Sequence, residues 1–232
     1  MRTIAIIPAR GGSKRIPRKN IKLLRGKPII EYSLHTCRES GIFDKIHVST
    51  EDLEIADICE ALGFKPDFFR STEMAGDTAT IQDVLQEVMN KFDEIGECYD
   101  IVCLLSATAP LISSADLKEA WNIFNHSDKS LPLLAVSKYQ APIEWALQMS
   151  NDKTSVYPVN PDFFVKSSHG FKTAYYDTGT FAFFTRNQIL SEAKRLHYIP
   201  YVIDNLKGID VDTMDDWLYL EQAYSIQQNR NK

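Results

Sequence analysis

Cysteine is scarce in this sequence, with four residues in 232. None forms a CxxC pair and no histidine stands at zinc spacing from them. Cys37, Cys59, Cys98 and Cys103 read as free, mostly buried thiols of a reducing cytoplasm rather than a disulfide framework. Long hydrophobic runs are missing too: no apolar stretch approaches the ~20 residues that span a bilayer. The apolar start at Met1–Ala9 breaks at Arg10-Gly11-Gly12 and lacks the length and cleavage pattern of a signal peptide. No repeat, low-complexity tract or Pro/Gly/Ser linker divides the chain, so a single domain over 1–232 is expected.

The most informative absence is acid. Residues 1–30 hold no Asp or Glu but nine basic side chains: Arg2, Arg10, Lys14, Arg15, Arg18, Lys19, Lys22, Arg25 and Lys27. The whole chain has a net charge of −5, so the remaining 202 residues carry −14. An acidic protein with one concentrated basic segment is a poor nucleic-acid coat and a better grip for a small, highly charged anion. Composition is otherwise that of a globular protein, 44% hydrophobic and 25% charged, which excludes a disordered chain.

The first 135 residues alternate strand and helix patterns. Thr3–Ile7, Lys45–Ser49, Asp100–Leu105 and Leu131–Val136 read as short strands, the first and third as continuous apolar runs covered on both faces. Helices are expected from Pro28 to Ser40, from a Thr50 cap to Leu62, from Thr80 to Phe92 with a Thr80/Asp83 capping box, and from Ser113 or Ser114 to Phe124. This order implies an α/β, doubly wound, mostly parallel sheet of Rossmann-like type. Residues 137–180, rich in Tyr, Pro, Asn and Ser, read as a small insertion of strands and loops. Strands over Gly179–Thr185 and Tyr198–Ile203 and a helix over Met214–Gln227 complete the pattern. Ligands of such sheets lie beyond the carboxyl ends of the strands, which nominates the loops at 8–20, 70–80, 106–112 and 204–212.

The first of these loops runs Arg10-Gly11-Gly12-Ser13-Lys14-Arg15-Ile16-Pro17-Arg18-Lys19-Asn20. Its glycines, Gly12 among them, let backbone N–H groups approach an anion, and its cations can neutralise several phosphate charges. The spacing is neither a Walker A loop nor a GxGxxG fingerprint. At the other end of the chain, Asp210 and Asp212 are two residues apart, so an extended backbone projects both to one face. Two hard carboxylates in that arrangement suit Mg²⁺, which also takes phosphate oxygens.

The string I-I-P-A-R-G-G-S-K-R-I-P-R-K-N, followed by Gly26-Lys27-Pro28, resembles the nucleotide-diphospho-sugar transferases, and within them the CMP-nonulosonate synthetases (acylneuraminate cytidylyltransferases). The likeness covers nearly the whole chain. It implies that Arg10, Ser13 and Lys19 contact the phosphates of CTP and that Asn20 contacts the nucleotide. Arg70 to Thr80 is similar to the family's R-P-x-E-L-A-x-D-T-A-S, which implies nucleotide contacts for Arg70 and Ala79. Asp77 in that loop suits the ligand or the loop's own backbone. Asp210 to Asp216 resembles D-x-D-T-P-x-D with Met214 in place of Pro, which implies Asp210 and Asp212 as Mg²⁺ ligands.

On the acceptor side, sialate-specific members resemble L-Q-P-T-S-P-L-R where this chain has Ser106 in place of Gln and Ile112 in place of Arg. Tyr176-Asp177-Thr178-Gly179-Thr180-Phe181 is similar to the H-D-A-G-Q-F of the pseudaminic acid branch, with Lys166-Ser167-Ser168-His169 preceding it in place of R-S-Q-D. Ser106, Lys166 and Asp177 are therefore the expected acceptor contacts. The resemblance implies a cytoplasmic homodimer with 137–180 as its dimerisation arm. It implies transfer of CMP from CTP to the anomeric hydroxyl of a nonulosonic acid, pseudaminic acid-like or N-acetylneuraminic, with Arg10, Lys19 and Asp210 carrying the chemistry. A Kdo or legionaminic acid acceptor, and a non-catalytic nucleotide-binding module, stay open as alternatives. Neither nucleic acid nor membrane is expected as a partner.

Overall fold

The computed structural model describes residues 1–167, 169–191 and 197–230. Its elements, in chain order, are β1 (Thr3–Pro8), a 3-10 turn (Lys19–Ile21), β2 (Leu23–Leu24), β3 (Lys27–Pro28), α1 (Ile29–Ser40), β4 (Lys45–Ser49), α2 (Leu53–Ala61), α3 (Ile81–Glu94), β5 (Ile101–Leu105), α4 (Ser114–His126), β6 (Leu133–Lys138), β7 (Leu147–Met149), β8 (Val156–Pro158), α5 (Pro161–Phe164), β9 (Tyr175–Thr185), α6 (Arg186–Leu190), β10 (Ile199–Val202) and α7 (Met214–Arg230). Six strands form the central sheet in the order β10-β6-β9-β5-β1-β4. β4, β1 and β5 run parallel to one another, as do β6 and β10, and β9 runs antiparallel between β5 and β6.

The continuous apolar runs are explained by two covered faces. Along β1, Ala5 and Ile7 join a core with Leu34 of α1, Ile55 of α2 and Phe124 of α4. Ile4 and Ile6 point the other way and pack with Leu85, Val88 and Phe92 of α3 and Ile189 of α6. A period of two on one strand thus feeds two separate cores. A third cluster joins Ile16 and Leu24 of the basic segment, Val211, and Trp217, Leu220 and Ala223 of α7. This cluster fastens the two chemically conspicuous segments, at opposite ends of the chain, to one another.

Three expectations change. The cap of α2 is Asp52, whose carboxylate accepts from Ile55 N at 3.0 Å, and Thr50 instead receives Asp52 N on its hydroxyl. Thr50, Glu51 and Asp52 offer competing oxygens, and the charged one sits at the helix end. The sheet is mostly parallel, as expected, with β9 its antiparallel member. The excursion from the sheet runs from 139 to 174 rather than from 137 to 180, because Tyr175–Thr180 extend β9. Gly179, read as the start of a strand, lies inside it at φ 63°, where the register against β6 shifts. The excursion holds the β7–β8 hairpin and α5, and presents Leu147, Met149, Val156, Phe163 and Val165 to the outside. No described helix is long and apolar enough to cross a membrane. Cys37, Cys59 and Cys103 are buried and Cys98 is exposed.

The fold also stores a pH response. His47 on β4 is fully buried against Phe68 and Phe92, its Nδ1 3.1 Å from Asp67 and its Nε2 without a hydrogen-bond partner among the described residues. Burial holds its pKa below the usual value despite Asp67. For a base depressed in the folded state, the unfolded chain takes up the proton first as pH falls, so stability is lost from about pH 6.5 downward. Burial raises the Asp67 pKa, but hydrogen bonds from His47 and Lys45 outweigh it, and that stability is lost further into acid. We expect Tm to be level above pH 7 and to fall below it, with a smaller fall between pH 7 and 5 in His47→Phe. An unchanged Tm–pH curve in that variant would remove His47 from the response.

Candidate active site

All four nominated loops meet over the carboxyl ends of β1 and β5. Together they bound a cavity of about 570 Å³ whose wall includes Arg10, Ser13, Lys14, Arg15, Lys19, Asn20, Arg70, Asp77, Ala79, Ser106, Thr108, Asp210 and Asp212. The charge split seen in the sequence therefore folds into one volume, with cations from residues 10–19 facing two carboxylates from the far end of the chain.

The basic loop is held by internal bonds. Asn20, buried, donates Nδ2 to Arg10 O at 2.9 Å. Ser13 N donates to Gly11 O at 2.9 Å and Gly11 N to Glu51 Oε1 at 2.8 Å. Among the described residues the Gly12 N–H has no such partner, and the space above its Cα is open. Gly12 itself is not part of the cavity wall. Lys19 donates Nζ to Val211 O at 2.5 Å and lies 3.3 Å from Asp212 Oδ1, while Arg15 pairs with Asp212 at 2.8 Å.

Arg70 is buried, with Nε on Ser49 Oγ at 3.0 Å and Nη2 on Ser49 O at 2.7 Å. Burial lowers its pKa, and Glu51 and Glu87 oppose that shift. Asp77 spans the mouth of the cavity, 3.1 Å from Arg10 Nη1 and 2.6 Å from Lys14 Nζ. Lys14 first, then Arg10, holds its carboxyl below the usual carboxylate range.

Val211 is buried between Asp210 and Asp212, and both carboxylates reach the cavity, as the two-residue spacing requires. Asp210 makes no hydrogen bond or salt bridge among the described residues. The protein around it, and then the Asp212 carboxylate, raise its pKa. An open carboxylate disfavoured as a lone anion, beside a second carboxylate, fits a divalent cation that prefers oxygen ligands. The described residues contain no group of three or more His, Cys, Asp or Glu able to hold a metal. Two carboxylates would thus leave the remaining coordination positions to phosphate oxygens and water.

A second cavity of about 540 Å³ adjoins the first and shares Pro8, Ile81 and Ser106 with it. Asp177 and Gly179 stand on its rim, and Leu104, Phe181 and Tyr198 give it a more apolar wall. Of the expected acceptor contacts, Ser106 and Asp177 are therefore at hand and Lys166 is not. Lys166 lies on the excursion after α5, its Nζ 4.5 Å from the ring centre of Phe163. His169 there is exposed and bonded to Ser167, and Ser168 lies outside the described residues. Ile81 and Val84, which no sequence motif singles out, also line the first cavity, as does Thr108, which keeps the Thr of L-Q-P-T-S-P-L-R. Thr108 has a signal in its position two residues after Ser106, to whose hydroxyl it bonds at 3.1 Å.

Known proteins resemble the chain over nearly its whole length. The chain matches the family model described as Cytidylyltransferase over residues 4–219. It is 35% identical over 228 residues to a pseudaminic acid cytidylyltransferase of Campylobacter jejuni subsp. jejuni, covering 97% of each protein. It is 29% identical over 233 residues to the CMP-N,N'-diacetyllegionaminic acid synthase of Legionella pneumophila subsp. pneumophila, covering 98% of each. Its fold is that of CMP:2-keto-3-deoxy-manno-octonic acid synthetase, solved as a complex with CTP, at TM-score 0.72 and 18% identity over 98% of this chain and 100% of that one.

Proposed function

The chain belongs to the cytidylyltransferase family, and from that premise we propose that it transfers CMP from CTP to the anomeric hydroxyl of a nonulosonic acid of the pseudaminic type. The acceptor hydroxyl loses its proton to solvent as its oxygen bonds to the α-phosphorus, the bond from that phosphorus to the α–β bridging oxygen breaks, and pyrophosphate leaves. The observation that carries this reading is the meeting of Arg10, Lys14 and Lys19 with Asp210 and Asp212 in one cavity open to a second, less polar one.

Catalysis of this kind is positioning and electrostatics. Arg10, Lys14 and Lys19 balance the triphosphate charge, and the Gly12 N–H is free to add a backbone donor. Arg70, Asn20 and Ala79 shape the nucleotide end. Ser106 and Asp177 address the acceptor from the shared rim. A Mg²⁺ ion on Asp210 and Asp212 would, when bound, neutralise charge on the departing pyrophosphate. Residues 139–174, with their exposed apolar side chains, suit a homodimer contact that would also carry Lys166. The reaction suits the cytoplasm, where CTP is available.

The test is pyrophosphate release from CTP and Mg²⁺ across a panel of pseudaminic, legionaminic, N-acetylneuraminic and Kdo acids. We expect the highest kcat/KM with pseudaminic acid. CTP binding without release for any acid would leave only a nucleotide-binding module.

Asp77 occupies the cations that the triphosphate needs. Asp77→Asn is therefore expected to lower KM for CTP by about two- to threefold in dilute buffer, with the gain fading at high salt because these groups are exposed. A raised KM would instead make Asp77 a direct nucleotide contact.

A further inference from the structure

We infer that Glu51 is a positioning residue for the triphosphate loop, acting through the Gly11 N–H within a turn, Ser49–Asp52, that holds both nucleotide-facing segments. The inference rests on the reading of the cavity as a CTP site. None of these four residues lines the cavity, yet each holds something that does or that adjoins it. Ser49 O accepts from Ala9 N at 2.9 Å and, with Ser49 Oγ, fixes the Arg70 guanidinium. Thr50 O accepts from Arg70 N at 2.8 Å. Glu51 Oε1 accepts from Gly11 N at 2.8 Å.

Asp52 takes Arg18 in a two-pronged pair at 2.5 and 2.8 Å, and Glu54 adds a further contact to the same guanidinium. Arg18 adopts a left-handed backbone, φ 56°, at the foot of the loop, so its side-chain anchor fixes a turn that the backbone alone disfavours. The approach of the two loops is close: a Cβ on Gly11 would lie 2.1 Å from Asp52 Oδ2, so any side chain there would have to displace the Asp52 carboxylate from Arg18.

Glu51 is the member of the turn with least structural justification of its own. Its Oε2 is buried without a hydrogen-bond partner among the described residues, an arrangement that costs stability. Asp52 caps α2 and pairs with Arg18, whereas the Glu51 side chain bonds to the loop. That bond commits Gly11 N–H to the protein. Ser13 N–H is committed to Gly11 O, so the Gly12 N–H is the one left for an anion among Gly11–Ser13. The carboxylate thereby sets which backbone donor of the loop stays unpaired beside the cavity. A displacement of the order of 1 Å in such a group is enough to cost activity heavily.

The experiment is calorimetric titration of CTP into the full-length wild type, Glu51→Ala and Glu51→Gln, with KM and kcat for both substrates. Glu51→Ala is expected to weaken CTP binding about tenfold and to raise KM for CTP, leaving KM for the acceptor in place. Glu51→Gln keeps an amide oxygen able to accept from Gly11 N–H and is expected to return to within about threefold of wild type. Should Glu51→Ala not fold, Glu51→Asp, shorter by one methylene, carries the same comparison. Wild-type affinity in Glu51→Ala, or equal weakening in Glu51→Ala and Glu51→Gln, overturns the inference while the CTP reading stands. A wild type that binds CTP but releases no pyrophosphate removes the proposed reaction and leaves the Glu51 comparison intact. A wild type that does not bind CTP ends both.

Discussion

Asp210→Ala is expected to lower kcat for pyrophosphate release by about 10²–10³, measured at saturating CTP, acceptor and Mg²⁺. Its effect should exceed that of Asp212→Ala. Asp212 already spends its charge on Arg15 and Lys19, whereas Asp210 has no ion-pair partner among the described residues. That unspent charge has a second consequence. A carboxylate whose pKa is raised in the fold favours the native state less when ionised, so at pH 7 the negative Asp210 opposes folding. Asp210→Asn removes the charge with almost no change of volume. It should therefore raise Tm in metal-free buffer while lowering kcat by a factor similar to that in Asp210→Ala, and the gain should vanish toward acid, where the native carboxyl is itself protonated. The combination distinguishes a functional carboxylate from a structural one, since losing a structural partner lowers Tm. Near-normal turnover in Asp210→Ala would take this residue out of the metal role. A lowered Tm in Asp210→Asn would mean that it holds the loop together.

The two carboxylates are legible in the sequence because their geometry is local. A spacing of two on an extended chain puts Asp210 and Asp212 on one side and Val211 on the other, and Val211 is indeed buried in the third core. The four ligand-facing loops are legible for a related reason. Buried parallel strands announce themselves as apolar runs, and the loops after their carboxyl ends share one edge of the sheet. The features that escape depend on contacts distant in sequence or on local competition. Nothing around Glu51 marks it as a partner of Gly11, 40 positions earlier, because a glutamate after a strand is ordinary. Thr50 and Asp52 compete for one helix cap, and composition alone does not choose between them. Gly179 resembles a boundary because glycine weakens strands, yet in β9 it is the bend that lets one strand change register and continue. Lys166 stands where a family motif has Arg, but that segment sits on the excursion, and position in a motif does not carry the side chain to the cavity within one chain.

Lys19→Met should reduce kcat/KM for CTP by about 10²–10³ and also destabilise the protein, and the two losses have separate origins. The catalytic loss follows from removing a half-buried ammonium from a wall whose task is to balance a triphosphate. The structural loss follows from Val211 O, which accepts from Lys19 Nζ at 2.5 Å and has no substitute donor in methionine. Leaving that carbonyl unpaired costs about 1–3 kcal/mol, and each kcal/mol lowers Tm by roughly 2–4 °C in a chain of this size. The same bond joins residues 192 positions apart, so its loss loosens the 209–212 segment from the basic loop just where both carboxylates must be held. Lys19→Arg supplies the contrast. Its charge is retained, but a planar fork replaces a compact ammonium and cannot place one donor between a carbonyl and a carboxylate in the same way. Most of the Tm should return with arginine and only part of kcat/KM, because stability needs a donor near Val211 O whereas catalysis needs the charge at one point. Full recovery of kcat/KM by Lys19→Arg would show that net charge alone is required of this position.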